Sequence, residues 1–539
     1  MFGKQLNRHS GFSLSDHKTI VALFFLGIIV WFGFFRLDYL GGLPPGDTLT
    51  YSMLARNIVS GNGIAHDTAK TLEVATLGHF PEHDVLQPPF WPIILSLSFF
   101  IFGVSDLVIV LSSSFFYWLL IPLVYFLARK MFNERVALFS TVLTIFNFSL
   151  LKYSTSGLTE MFFTFLVTFS FFLIYRSEKR KDFVFIGFLL GIAYMTRSQA
   201  IFFVPGIVLF IFLFRKNNKY QNILIFLTVF FLSLMPFVIR EHIHSEGTIL
   251  SEGLIVLQSD DRNKVELYDQ FRNLQFKGDE VNPLAYAMEH PLFVIDKFFY
   301  NGFESYKSIF PGLLSPFIIA LFFANTLIVT KEKRTQEIKV LVILLLISTL
   351  VGSSLVASRA RHLLSLLPII IIFGTSFLIS AYDRLDVKRT YKKIILATLI
   401  LLLILPLPAY FLKTSAIKMQ TERKTPGIDI FKYYFAKDML QKHTKKGDVI
   451  ITNNHSITGW YGDRKAILFP LRVADIDTID QNYVSIGGIF LESGQMAMWS
   501  PSNEWWDILK NQPETVLEKF NLASSFNDGV TQAVLYIRK

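Results

Sequence analysis

Long apolar stretches dominate the first 411 positions. Many run about 17 to 22 residues, the length that crosses a hydrocarbon core of roughly 30 Å. Eleven of them are predicted as spans, near 19–35, 106–127, 135–151, 159–175, 183–197, 200–214, 221–239, 312–330, 338–357, 362–381 and 393–411. The first, Thr19 to Phe35, carries no charge and closes on Phe34, Phe35 and Arg36 without a small-residue cleavage site. It reads as a retained span and not a signal peptide. A shorter apolar piece at 88–103 opens with prolines and is predicted as a re-entrant or surface-lying helix on the outer side. After residue 411 the pattern changes. Helical spacing over 429–443 is followed by GDVIIT, AILFPL, YVSIGGIFL and QAVLYIR, which read as short strands of a small α/β domain.

Polar connectors orient the chain. Six are rich in Lys and Arg: the N-terminal tail, 128–135, 176–182, 215–219, 331–339 and 383–393. Short basic loops mark the cytoplasmic side, so the N-terminus is expected inside. The first loop (36–105), a second loop (240–311) and the domain at 412–539 are expected outside. The division is thus a membrane domain, 1–411, and an extracytoplasmic α/β domain, 412–539, in a multi-pass protein of the cell membrane.

Composition agrees with this reading. Of 539 residues 52% are hydrophobic, 56 are Phe and 17% are charged, against about 25% charged in a soluble domain. The net charge of +10 lies in the connectors, which argues against nucleic acid as a partner. There is no cysteine, so disulfide and thiolate chemistry are excluded.

The outward placement limits the chemistry. Outside a cell there is neither ATP nor a pool of nucleotide sugars, so an enzyme there needs an activated substrate delivered within the membrane. Polyprenyl-phosphate sugars meet that need. The lipid phosphate is already a good leaving group, so one carboxylate that takes the acceptor's proton suffices. Cations must then hold the phosphate as its charge grows.

Asp47 fits the base. It follows the turn LPPG and opens the helix-like TLTYSMLARNIVSGNG of the first outer loop, where helix capping is the structural alternative. Glu160 opens the fourth span, either as a dipole-stabilised acid or as a second functional carboxylate. Arg197 lies at the outer end between two spans, and Arg359, Arg361 and His362 do so between the ninth and tenth, against the positive-inside pattern. Phosphate binding competes there with snorkelling to lipid headgroups. HIH (242–244) and HFPEH (79–83) have metal-like spacing without a third ligand, and DID (475–477) and DDR (260–262) read as surface acids. No motif specifies a cofactor, and a divalent cation is left open.

Taken in order, these pieces resemble a known superfamily. GD..TY..LARNIVSGNG, QPPFWPIILSLSFFIFG, LARKMFNERVALFS, STSGLTEMFFTF, GFLLGIAYMTRSQAIFFVPG and SRARHLLSLLP run from about residue 19 to 380. They are similar to the C-type glycosyltransferases, in particular the protein O-mannosyltransferase and aminoarabinose-transferase-like group. The resemblance implies a mainly α polytopic fold, with Asp47 as catalytic base, Glu160 as the second acid and Arg197 at the lipid phosphate. Arg359 and Arg361 are the further phosphate candidates. Two departures stand out: Thr48 occupies a position where members often carry a second acid, and RARHLL replaces the commoner RY followed by proline.

The function this predicts is inverting transfer of a sugar from a polyprenyl-phosphate donor to a protein, lipid or glycan acceptor at the outer face. The alternatives are a lipid-linked-sugar transporter and a non-catalytic glycan-binding scaffold. A transporter would carry ionisable groups and broken helices at mid-span, and the spans are nearly uncharged through their centres.

Overall fold

A computed structural model describes residues 14–38, 43–44, 46–84, 87–177, 179–215, 217–244, 269–274, 283–329, 332–356, 360–405, 407, 412, 434–496, 499, 502–529 and 531–539. All eleven apolar segments are wholly or largely helical there. They are α1 (Leu14–Asp38), α5 (Asp106–Met131), α6 (Glu134–Ile145) with α7 (Phe148–Ser154), α8 (Glu160–Arg176), α9 (Arg180–Thr196) and α10 (Phe203–Phe214). They continue as α11 (Lys219–His244), α14 (Pro316–Leu327), α15 (Lys333–Val356), α16 (Leu367–Arg384) and α17 (Arg389–Ile404). Among the described residues five helices are long and apolar enough to cross a membrane unaided, and the bent pair α6–α7 makes a sixth.

Local sequence explains the breaks. Ser105 and Asn133 accept backbone N–H groups of α5 and α6 and start those helices. Asn147 caps α7 in the same way, after a 55° bend. Its side-chain amide and the Ser149 hydroxyl both donate to the Leu313 carbonyl, so polar groups at the break find protein partners. Close helix packing uses small residues. A Cβ on Gly187 would lie 2.7 Å from the Phe226 carbonyl oxygen, and one on Gly191 would lie 2.6 Å from Ser233 Cβ. One i, i+4 pair of glycines therefore lets α9 seat on α11.

The two loops expected outside form α2 (Asp47–Val59), α3 (Thr71–Leu77), α4 (Phe90–Phe102), α12 (Pro283–Glu289) and α13 (Pro291–Leu313). The segment expected to lie on the outer surface is α4, a 13-residue helix, too short to span alone. Helix α13 was not expected within the second loop. Its polar residues Lys297, Asn301 and Ser305 are buried, Asn301 donating to the Ser354 carbonyl of α15, while Leu292, Ile295, Phe299 and Phe303 face outward. The polarity is inverted relative to a soluble helix, as a lipid-facing element requires.

The C-terminal region is a seven-stranded mixed sheet of order β1-β3-β2-β4-β7-β6-β5. The four expected strands are β2 (Val449–Thr452), β3 (Lys465–Leu468), β4 (Ile486–Glu492) and β7 (Gln532–Arg538). β5 (Thr515–Val516) and β6 (Phe520–Asn527) extend one side antiparallel. On the other edge, β1 (Thr68–Ala69) comes from the first loop and pairs parallel with Ala466 and Ile467. Helices α18 (Tyr434–His443), α19 (His455–Trp460), α20 (Asp475–Asn482) and α21 (Asn503–Asn511) complete this layer. The second loop is pinned to it too: buried Arg272 donates to the carbonyls of Phe469, Pro470 and Trp499.

Candidate active site

Asp47 is the first residue of α2, and its geometry is set from both sides. Gly46 sits at φ 93°, ψ −135°, a conformation open essentially to glycine alone. The Gly46 N–H donates to Ser456 Oγ at 3.1 Å, and its carbonyl accepts from the Thr50 N–H at 3.1 Å. Ser456 lies on α19, just past the carboxyl end of β2, where parallel sheets present their functional loops. Asn454 holds that loop: it caps α19 and donates to Glu492 Oε1 at 2.8 Å.

Thr48, where a second acid was expected, is buried and donates to the Ser156 carbonyl at 2.9 Å. It ties α2 to the turn that leads into α8. Gly157 in that turn has φ 72°, and a Cβ there would meet Ile109 at 2.4 Å and Thr48 Cγ2 at 3.0 Å. A carboxylate at position 48 would face a carbonyl in a dry contact. The acid beside Asp47 comes instead from Glu160, at the head of α8.

Three cation–carboxylate contacts knit the site. The Asp47 carboxylate, 44% exposed, accepts from Arg361 at 2.9 Å. Arg361 also approaches Glu160 Oε1 at 3.5 Å, and Arg197 donates to the same oxygen at 2.8 Å and to Thr159 Oγ1 at 2.9 Å. Glu160 is 1% exposed, and its second oxygen has no hydrogen-bond partner among the described residues. Burial opposes the charge on Arg361, but Glu160 and Asp47 together hold its pKa above the usual arginine value. Tyr51, one helical turn beyond Asp47, is buried against the four charges. Burial first, and the Asp47 charge second, push its hydroxyl up, so it stays protonated.

These groups open onto a cavity of about 600 Å³ whose walls include Asp47, Tyr51, Gln87, Arg197, Arg361 and His362. The Gln199 amide donates to the His362 carbonyl, and His362 Nδ1 lies 3.0 Å from Ser353 Oγ, so the wall around Arg361 is tied to α15. Asp47, Glu160, Arg197 and Arg361 thus come together. Arg359 lies outside the described residues. Tyr51, Gln199, Ser353 and Ser456 were not singled out from sequence. Only Tyr51 carried a usable signal, its i, i+4 spacing from Asp47.

No group of three His, Cys, Asp or Glu residues with metal-binding geometry occurs among the described residues. The two carboxylates that converge here share the Arg361 guanidinium, and a divalent cation would have to displace it. His83 and His244, from the two metal-like motifs, do meet, with ring centroids 4.1 Å apart. Asp475 pairs with Arg472, and Asp477 with Lys519.

Comparison with known proteins fits this architecture. Residues 86–239, which include Glu160 and Arg197, match the model of the dolichyl-phosphate-mannose-protein mannosyltransferase family. ArnT from Cupriavidus metallidurans bound to undecaprenyl phosphate superposes with a TM-score of 0.56 at 12% identity, over 96% of this chain and 97% of that one. The chain has the C-type glycosyltransferase fold. The same fold relates it to the Archaeoglobus fulgidus oligosaccharyltransferase in complex with Zn and sulfate, at TM-score 0.55 and 13% identity over 89% of this chain and 70% of that one. It also relates it to AglB from that organism, in complex with an inhibitory peptide and a dolichol-phosphate, at TM-score 0.52 and 12% identity over 98% and 75%. An uncharacterized protein of Aquifex aeolicus (strain VF5) is 29% identical over 225 residues, 40% of this chain and 42% of that protein. The chain therefore matches less than half the length of that curated relative.

Proposed function

We propose that this protein transfers a sugar from a polyprenyl-phosphate carrier to an acceptor hydroxyl at the outer face of the membrane, with inversion. The acceptor oxygen attacks the anomeric carbon while the Asp47 carboxylate takes its proton. The bond from that carbon to the phosphate oxygen breaks, and polyprenyl phosphate leaves with the electron pair. Arg197 and Arg361 meet the charge that grows on the phosphate. Glu160 holds both guanidiniums in register, and protonated Tyr51 lines the pocket without adding negative charge.

The observation that carries this reading is the half-exposed Asp47 carboxylate, held at 2.9 Å by Arg361 on the wall of a 600 Å³ cavity that also presents Arg197. A base without a second carboxylate on the leaving-group side suits a phosphate leaving group. The bend between α6 and α7 would also suit a transporter, but residues 146–147 at the break are Phe and Asn, with no ionisable group.

The sugar and acceptor follow from one experiment. Membranes with and without the protein are offered a panel of sugar-labelled polyprenyl-phosphate hexoses and pentoses; polyprenyl phosphate release is counted and the labelled acceptor is identified by mass spectrometry. Release with at least one donor, dependent on the protein, is expected. No release with any donor, from folded protein supplied with envelope lipids, peptides and glycans as acceptors, would sink the proposal.

A further inference from the structure

A second cavity, of about 720 Å³, lies at the far end of α2 from Asp47. The 13 residues of α2 separate the two by about 20 Å, so a group bound there does not reach the reacting centre. The membrane portion contributes Arg56, Asn57, Ser60 and Asp106, and the outer domain contributes Lys437, Gln441 and Lys446.

Its charge is cationic. Arg56, Lys437, Lys446, Arg464 and Lys465 face three acids, Asp67, Asp106 and Asp463. The acids are committed. Asp67 pairs with Arg56 at 2.9 Å, and Asp106 accepts from Trp460 Nε1 and the Tyr461 hydroxyl, each at 2.8 Å. Asp463 is shared, 3.4 Å from Arg56 and 3.5 Å from Lys446.

Its rim is apolar. Val104, on the turn between α4 and α5, and Leu107, in the first turn of α5, line the cavity, and Phe100, Ile101 and Phe102 stand exposed just before them. Large apolar side chains exposed at the end of a membrane-embedded helix pair belong at the level of the acyl chains. A cation-lined cleft with polar amides on one side and an acyl-level lip on the other has the two-part chemistry of a phospholipid.

We infer that this cleft binds a phosphate-headed membrane lipid of the outer leaflet, its phosphate against Lys437 and Lys446 and its chains along Val104 and Leu107. Because the walls come from both portions, the bound lipid fastens the outer domain to the membrane domain. The inference is independent of the transfer chemistry at Asp47.

The test uses the full chain in detergent micelles, with native mass spectrometry to count retained lipid. Phosphatidylglycerol, phosphatidylcholine and soluble glycerol 3-phosphate are the probes. Wild type is expected to retain phosphatidylglycerol over phosphatidylcholine, and glycerol 3-phosphate is not expected to compete. Lys437→Glu with Lys446→Glu is expected to cut retention at least about 10-fold. Lys446→Glu alone, at a side chain 83% exposed and safe for folding, is expected to cut it about 5-fold. Unchanged retention in both variants, or competition by glycerol 3-phosphate as strong as by the lipid, would overturn the inference.

Discussion

The contact most open to quantitative test is the one between Glu160 and Arg197. Glu160 is 1% exposed and takes Arg197 at 2.8 Å, with Arg361 at 3.5 Å on the same oxygen. Glu160→Gln keeps the shape and removes the charge, leaving two guanidiniums that converge on a neutral amide. Breaking a buried pair from one side costs about 3–5 kcal/mol, because the remaining charge stays buried. Arg197→Gln leaves Glu160 with Arg361 alone and is expected to cost about as much. The pair acts as a unit, so the double variant should lose little more than either single. The coupling is then about the size of one single loss, about 3–5 kcal/mol, or about 150- to 5,000-fold in kcat/KM. The assay is release of polyprenyl phosphate at subsaturating donor for wild type, both singles and the double. Losses that add, to within about 0.5 kcal/mol, would refute a functional pair.

Other consequences can be checked more simply. Burial, then the nearby Lys70 and His66, push His455 in the C-terminal region down to about 4. Unfolding lets it bind a proton below 6.5, so stability falls by up to about 3 kcal/mol as pH drops from 6.5 to 4. His66 does not blur this window: its partner Asp84 raises it against burial, so its contribution is fully present below 6.5 and lost only as pH rises. A pH dependence of the melt over pH 4–6.5 that is the same in His455→Gln as in wild type would contradict the assignment. Thr48→Glu, which buries an unpaired carboxylate against the Ser156 carbonyl, should lower thermal stability and activity together, by about 3 kcal/mol or more. Unchanged melting would mean the site opens to water. Gly46→Ala meets no atom within 4 Å, so its cost is the backbone alone, about 1–3 kcal/mol in a melt. A neutral result would show that the turn relaxes.

The helices were legible because lipid demands long uncharged runs, and the charges between them are few. Helix α13 was not, since Asp296, Lys297, Asn301 and Glu304 interrupt its apolar face. Only packing against α15 reveals that some of these polar groups turn inward. Strand β1 is two residues long and pairs with residues nearly 400 positions away, a register no local pattern carries. In the site, Asp47 stood out because an acid after a proline-glycine turn is exposed by construction. Glu160 and Arg197 stood out because charge at the end of an apolar run is costly. Tyr51 looked like core, and Ser456 like any helix-start serine. Their place depends on how the C-terminal sheet region docks onto α2. The expectation of an acid at position 48 failed to foresee that Thr48 serves as the tie between α2 and the turn before α8.

The central claim is that Asp47 takes the acceptor proton. Its most direct test is single-turnover transfer by purified Asp47→Asn in proteoliposomes, with donor and acceptor from the panel experiment and donor binding measured in parallel. The account predicts that donor still binds and the melt is unchanged, while transfer falls about 10²- to 10⁴-fold. Transfer at the wild-type rate, with donor bound equally well, would contradict it.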